Sequence, residues 1–276
     1  MTQAVSISSH PRVGLALSGG AARGMAHIGV LRAFEENAIP IDAIAGASAG
    51  ALIGGLYAAG LSISQLEQLA RKFRWRHVSR LSFSRLGLQS NTRMEDFLRA
   101  HLSVTRFEDL RIPFAALATD LKSGTAVVMR DQGDLTFAIR ASVCFPAFYV
   151  PVVDSAGRLL VDGGLVANLP VEYTRDLGAD IVIAVDVGAD GAKFIDQPRT
   201  ALGVLTLVFV AVERVVSQQE SCKADLVIVP KVGHIRWDET RRADELMKIG
   251  YEAALESIGP IKALVEQKRI SLNSAA

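Results

Sequence analysis

Residues 43–60 constrain this chain more than any other stretch. Ala43 to Ala45 is a short apolar run, Gly46-Ala47-Ser48-Ala49-Gly50 follows it, and Ala49 to Ala59 stays small and apolar up to Gly60. The first run reads as a buried strand and the last as a helix stopped by Gly60. A serine with a glycine two residues away on each side, at a strand-to-helix corner, is the nucleophile-elbow pattern. Such a corner strains the serine backbone and leaves no room for Cβ atoms at the two glycines. The hydroxyl then stands clear of the sheet, with the positive end of a helix beneath it. The same pentapeptide also arises as an ordinary close-packed corner, so its meaning depends on its company.

Upstream, Val13 to Leu17 reads as a strand running into Ser18-Gly19-Gly20-Ala21-Ala22-Arg23-Gly24. A helix is expected over roughly Ala22 to Asn37, with Met25, Ile28, Leu31 and Phe34 at helical spacing. A glycine-rich loop that opens a helix presents free backbone N–H groups. Gly19, Ala21 and Gly24 fall one residue short of a dinucleotide fingerprint, and Asp42 precedes the second strand instead of ending it. No Gly-Lys-Ser/Thr follows, which removes the ATP-type loop. The favoured reading is an oxyanion hole, backbone donors aimed at a carbonyl oxygen that becomes negative during acyl transfer.

The chain has 276 residues, is 50% hydrophobic and carries a net charge of +1, enough for one large core and without a global drive toward nucleic acid. Cys144 and Cys222 give neither a disulfide framework nor a metal-type spacing, and a cytoplasmic setting is expected. No secretory h-region is seen near the N-terminus. Capping boxes are expected at Ser64-Gln65-Leu66-Glu67 and Thr92-Arg93-Met94-Glu95. Arg71 to Arg85 is basic and acid-free, interleaved with Phe73, Trp75 and Phe83. Two readings stand: a solvated face whose aromatics pack inward, or a surface that docks on anionic headgroups. Phe114 to Thr119 and Thr125 to Arg130 read as an antiparallel pair, with Asp120 shaping the turn. Cys144 reads as a small core residue. Asp162-Gly163-Gly164 ends an apolar strand, and as a lone triplet it is an ordinary turn. Thr200 to Val216 is apolar on all sides of a helix, which predicts burial against the core or a second subunit, with membrane contact or an acyl channel as the alternative.

Taken together, the blocks LALSGGAARGMAHIGVL, AGASAGAL, ASVCFPAF and VDGGLVANLPV, in this order, resemble the patatin-like phospholipase family, bacterial single-domain members in particular. The likeness runs from about Arg12 to Leu264. It implies a three-layer α/β/α fold with a mainly parallel sheet over residues 12–265, preceded by a flexible N-terminus (1–11) and followed by a tail (266–276). It further implies a catalytic dyad without histidine, Ser48 as nucleophile and Asp162 as its partner. The oxyanion motif falls on Gly19, Gly20, Ala21, Ala22, Arg23 and Gly24, with Gly46, Gly50, Gly163 and Gly164 as motif glycines. Ala21 stands where the family usually has a third glycine.

The expected chemistry is hydrolysis of acyl-lipid esters, with Gly20 and Ala21 N–H groups, helped by Gly19 or Arg23, holding the oxyanion. No metal or cofactor is expected. Arg23 could equally pair with a carboxylate and anchor a loop. A Ser-His-Asp hydrolase using Asp186 and His234 is the first competitor, with His27 placed near the glycine loop. A non-catalytic regulator or lipid binder is the second. Peripheral contact with the inner face of a membrane stays open, and so does the oligomeric state.

Overall fold

A computed structural model of the chain describes residues 10–191 and 197–275. The expected N-terminal extension therefore lies outside the described residues, save for its last two. The chain begins with strand β1 (Val13–Leu17), a one-turn 3-10 helix (Ala21–Met25), α1 (Ala26–Glu36), β2 (Ala43–Ala47) and α2 (Ala49–Ala58). Helix α3 (Ile63–Lys72) leads to a small hairpin, β3 (Arg80–Leu81) and β4 (Gln89–Ser90), and to α4 (Arg93–Arg99). Next come β5 (Phe114–Asp120), β6 (Thr125–Arg130), α5 (Leu135–Ser142), β7 (Val152–Val153), β8 (Leu159–Asp162), α6 (Gly164–Ala167) and α7 (Val171–Asp176). Strand β9 (Ile181–Val185), α8 (Ala201–Ser221), β10 (Leu226–Ile228) and α9 (Ala243–Ala275) complete the described chain. Helix α9 runs straight through position 266, so the expected tail continues the last helix.

The main sheet has eight strands in the order β10-β9-β1-β2-β5-β8-β7, with β6 also beside β5. Pairs from β10 to β5 are parallel, and those involving β6, β7 and β8 are antiparallel. Strands β1, β2, β5 and β9 are buried along their whole length, which explains their near-continuous apolar sequences. One face carries the larger side chains, Val13, Leu15, Leu17, Ile44, Phe114 and Ile183, under α1, α2, α3, α5 and α9. The other face is built from Ala16, Ala45, Ala47 and Ala115, with α6 and α7 against it. Small residues there allow close approach: a Cβ on Gly14 would come 2.4 Å from Thr174 of α7. This is a three-layer α/β/α sandwich, and it places the ends of β1, β2 and β8 side by side.

Three local expectations need correction. Helix α3 is capped by Ser62 with Gln65, one overlapping box earlier than expected. Thr92 precedes α4 without capping it by a side-chain hydrogen bond; its hydroxyl instead accepts one from Ser90. Helix α8 buries only Thr206, Phe209 and Ser217 fully and leaves Val204, Leu205, Val208, Val212 and Val215 exposed, so its outer face is uncovered apolar surface. It is the one described helix long and apolar enough to cross a membrane, by length and composition.

Candidate active site

Ser48 sits between β2 and α2 with φ +50° and ψ −118°, a conformation that L-residues adopt only under constraint. The constraint is visible on both sides. A Cβ on Gly46 would lie 2.5 Å from the Gly50 backbone, and one on Gly50 would lie 2.1 Å from the Leu17 carbonyl oxygen. The Ser48 N–H donates to Ser142 Oγ at 2.9 Å, and the Ser142 hydroxyl donates to the Leu117 carbonyl at 2.6 Å. Ser142 lay in one of the sequence blocks without a role attached; only the fold brings it 94 residues back to the elbow.

Asp162 ends β8 and is buried. Its backbone is held by Asp162 N–H donating to the Cys144 carbonyl and by Thr119 Oγ1 donating to the Asp162 carbonyl at 2.8 Å. Its carboxylate accepts from Gly164 N–H at 2.9 Å, and the nearby Ser48 hydroxyl favours its charged form. Burial pushes the carboxyl up to about 7, and the Gly164 N–H and the Ser48 hydroxyl, which favour its charged form, limit that rise. Neighbouring Cys144 is a core thiol, pushed up to about 12 chiefly by burial, so it is protonated at neutral pH.

The glycine loop divides into two halves. Among the described residues, the N–H groups of Gly20 and Ala21 donate to no protein acceptor, and both residues border the same cavity as Ser48 and Asp162. Ala21 takes φ +51°, so the position where a glycine was expected does hold the left-handed conformation that glycine favours. Gly19 and Arg23 are engaged elsewhere. Gly19 N–H is shared between the Asn168 carbonyl and Asn168 Oδ1, at 3.3 and 3.2 Å. Buried Arg23 donates through Nε to the Ile235 carbonyl at 2.6 Å and borders a second, smaller cavity. Anchoring the segment around Ile235 is thus the role its geometry displays. A donor not anticipated from the sequence is Ala49, whose N–H opens α2, has no protein acceptor among the described residues and borders the cavity beside Ser48.

Glu213 of α8 was also missed. It is half-buried at the cavity wall with Asp162, and its Oε1 lies 2.3 Å from where a Cβ on Gly164 would stand and 3.4 Å from that point on Gly19. Burial and the nearby carboxyls of Asp162 and Asp186 push it well above the carboxylate range, against the pull of Arg23. The histidines are placed otherwise. His234 is exposed and pairs with Glu245 at 3.2 Å, and Asp186 spends Oδ1 on Gly188 N–H at 2.8 Å. His27 is buried with Nε2 on the Ser18 carbonyl at 2.9 Å, and burial lowers it to about 4. None of the three borders the cavity that holds Ser48.

That cavity measures about 350 Å³ and is lined mainly by apolar side chains from α1 to α4 and by Phe145, Phe148 and Trp237. The family model for patatin-like phospholipase matches residues 15–175, which contain the elbow, the glycine loop and Asp162. The chain belongs to this family. It is 41% identical over 189 residues, 67% of its length, to an uncharacterized NTE family protein of Mycobacterium tuberculosis, of which it covers 51%. Human patatin-like phospholipase domain-containing protein 6 is 35% identical over 184 residues (64% of this chain, 13% of that one). The Neurospora crassa lysophospholipase nte1 is 36% identical over 183 residues (64% and 12%). The chain therefore spans about half the length of the mycobacterial relative and about an eighth of the other two. Among solved structures, VipD from Legionella pneumophila superposes with a TM-score of 0.53 over 92% of this chain and 67% of that one, at 12% identity, and so shares the fold.

Proposed function

We propose that the chain is a serine acyl hydrolase that cleaves acyl-lipid esters through Ser48 and Asp162. One observation carries this reading: a strained serine and a buried carboxylate stand together at the wall of an apolar cavity. Ser48 Oγ attacks the ester carbonyl carbon while Asp162 takes its proton. N–H groups of Gly20, Ala21 and Ala49 hold the oxyanion of the tetrahedral intermediate. The intermediate collapses to an acyl-enzyme, and the leaving alcohol takes the proton from Asp162. Water, deprotonated by Asp162, then releases the acid and restores Ser48. A carboxylate at its ordinary value is a poor base for an alcohol; burial of Asp162 narrows that gap. A cytoplasmic setting fits the two free cysteines.

The test is hydrolysis of p-nitrophenyl esters of graded chain length by wild type, Ser48→Ala and Asp162→Asn. Both variants are expected at background while folded. Retained activity in Asp162→Asn with loss in Ser48→Ala would move the base elsewhere. If wild type is inactive and unlabelled by a fluorophosphonate, the chain is a binder and the hydrolase reading fails.

A further inference from the structure

We infer that the hairpin β3–β4 and its tip, residues 80–90, is the element that docks the protein on an anionic bilayer beside the mouth of the acyl cavity. The hairpin stands outside the main sheet, pairing Arg80 with Ser90 and Leu81 with Gln89. Its apolar residues point outward: Leu81 is 84% exposed, Phe83 107%, Leu86 61% and Leu88 53%. A phenylalanine as open as Phe83 has no partner among the described residues to account for it. Phe73 and Trp75, from the same basic stretch, behave in the opposite way and pack inward at the cavity wall. The inward-packing expectation therefore holds for those two and fails for Phe83.

Charge says what covers the apolar tip. Between Glu67 and Glu95 the sequence has seven arginines and lysines and no acid. Arg76, Arg80 and Arg85 are exposed and enter no ion pair among the described residues. An apolar tip ringed by unpaired guanidinium groups matches a surface that is apolar inside and anionic at its face, which is an anionic bilayer. A second copy of this chain would set those arginines against each other.

Position gives the hairpin a purpose. Its second strand is tied to the cavity rim: Leu88 N–H donates to the Ala147 carbonyl, Gln89 N–H to Phe148 at 2.8 Å, and Val150 N–H to Gln89 at 2.9 Å. Gly87 lies so close to the Tyr149–Val150 backbone that a Cβ would come within 2.5 Å. Gln89, Phe148 and Tyr149 themselves border the cavity. Insertion of the tip thus brings the rim against the lipid face. The inference takes its purpose from the hydrolase reading, yet docking needs no turnover and is tested apart from it.

The experiment is flotation of the full chain with vesicles of phosphatidylcholine alone and of phosphatidylcholine with 30% phosphatidylglycerol, repeated on Ser48→Ala to remove hydrolysis. Binding to the anionic vesicles is expected, with little to the neutral ones and loss at high salt. Each surface arginine is worth about fivefold in partitioning, so Arg80→Gln with Arg85→Gln weakens binding roughly 30-fold. Phe83→Ser with Leu86→Ser weakens it at least tenfold. Both double variants keep p-nitrophenyl butyrate hydrolysis within about twofold of wild type, a readout that reports folding and the hydrolase reading separately. Absence of wild-type binding, equal binding to neutral vesicles, or undiminished binding by both variants overturns the inference.

Discussion

The buried carboxyl of Asp162 sets a pH dependence that can be worked out in advance. Its titration lies at about 7 instead of 3.8, because the ionised form is desolvated by more than its hydrogen bonds return. As the proposed base for the Ser48 proton, it must be ionised to act. The rate constant kcat/KM should therefore fall tenfold per pH unit below about 7, leaving about 1% at pH 5. Release of fatty acid from a soluble short-chain ester, followed by pH-stat between pH 4.5 and 8.5, reads this directly. Glu213→Gln supplies the control. Desolvation and the Asp162 carboxyl push Glu213 well above the carboxylate range, so a neutral amide of the same shape should leave the limb within about half a unit. A flat profile from pH 5 to 8 would refute the argument. So would a fall of more than one unit in Glu213→Gln, which would mean that Glu213 carries the charge and Asp162 the shared proton.

The same shift bears on stability, with a sign that can be checked. Folded Asp162 holds its proton up to about 7, while the unfolded side chain loses it near 3.8. Between those values the folded state binds more protons, so unfolding free energy falls as pH rises and levels off above about 7. Three units correspond to roughly 4 kcal/mol. Asp162→Asn cannot ionise and escapes this penalty. Its Tm relative to wild type should therefore be higher at pH 8 than at pH 4; the reverse order would show that the carboxylate is stabilised in the fold.

Other outcomes follow from single contacts. Ser142→Ala removes the acceptor for Ser48 N–H and the donor to Leu117, and should lose about 1–3 kcal/mol in urea denaturation together with a lowered kcat. His234→Ala removes only a surface pair with Glu245, and ester hydrolysis within about twofold of wild type is expected; near-complete loss would restore the histidine triad. Gly250→Ala would place a Cβ 1.9 Å from the Ala26 carbonyl where α9 crosses α1, and should lower stability by about 1–3 kcal/mol or more in thermal melts.

Much of the scaffold was legible because its strands are buried on both faces. Runs such as VGLAL, AIAGA and IVIAV have no solvent side to encode, so they stand out as short apolar blocks between glycine turns. The elbow was legible for a different reason, since its two glycines are forced by backbone approach and no other residue type fits. Choices between near-equivalent local signals were not. Ser62 and Ser64 both head a capping box, and the helix that forms is the one whose start places Ile63, Leu66 and Ala70 in the core. Nor could the loop sequence reveal that Gly19 N–H is already taken, because Asn168 reaches it from 149 residues away.

Helix α8 shows most clearly where local reading stops. An apolar run on all sides predicts burial only if something is present to cover every side, and here α6 and Phe145 cover one side while the outer valines stay open. The same helix delivers Glu213 into the cavity wall, where Gly164 makes room for its carboxyl and Gly19 lies beside it. In the sequence, Glu213 looks like the point where an apolar run returns to solvent. In the fold it is a second acid at the cavity wall beside Asp162, with Arg23 as the nearby cation. Two neighbouring carboxyls with one guanidinium nearby are least strained when one carboxyl keeps its proton. Desolvation and its two acidic neighbours push the Glu213 carboxyl well above the carboxylate range, leaving Asp162 as the group that ionises near neutrality and the proposed partner of Ser48.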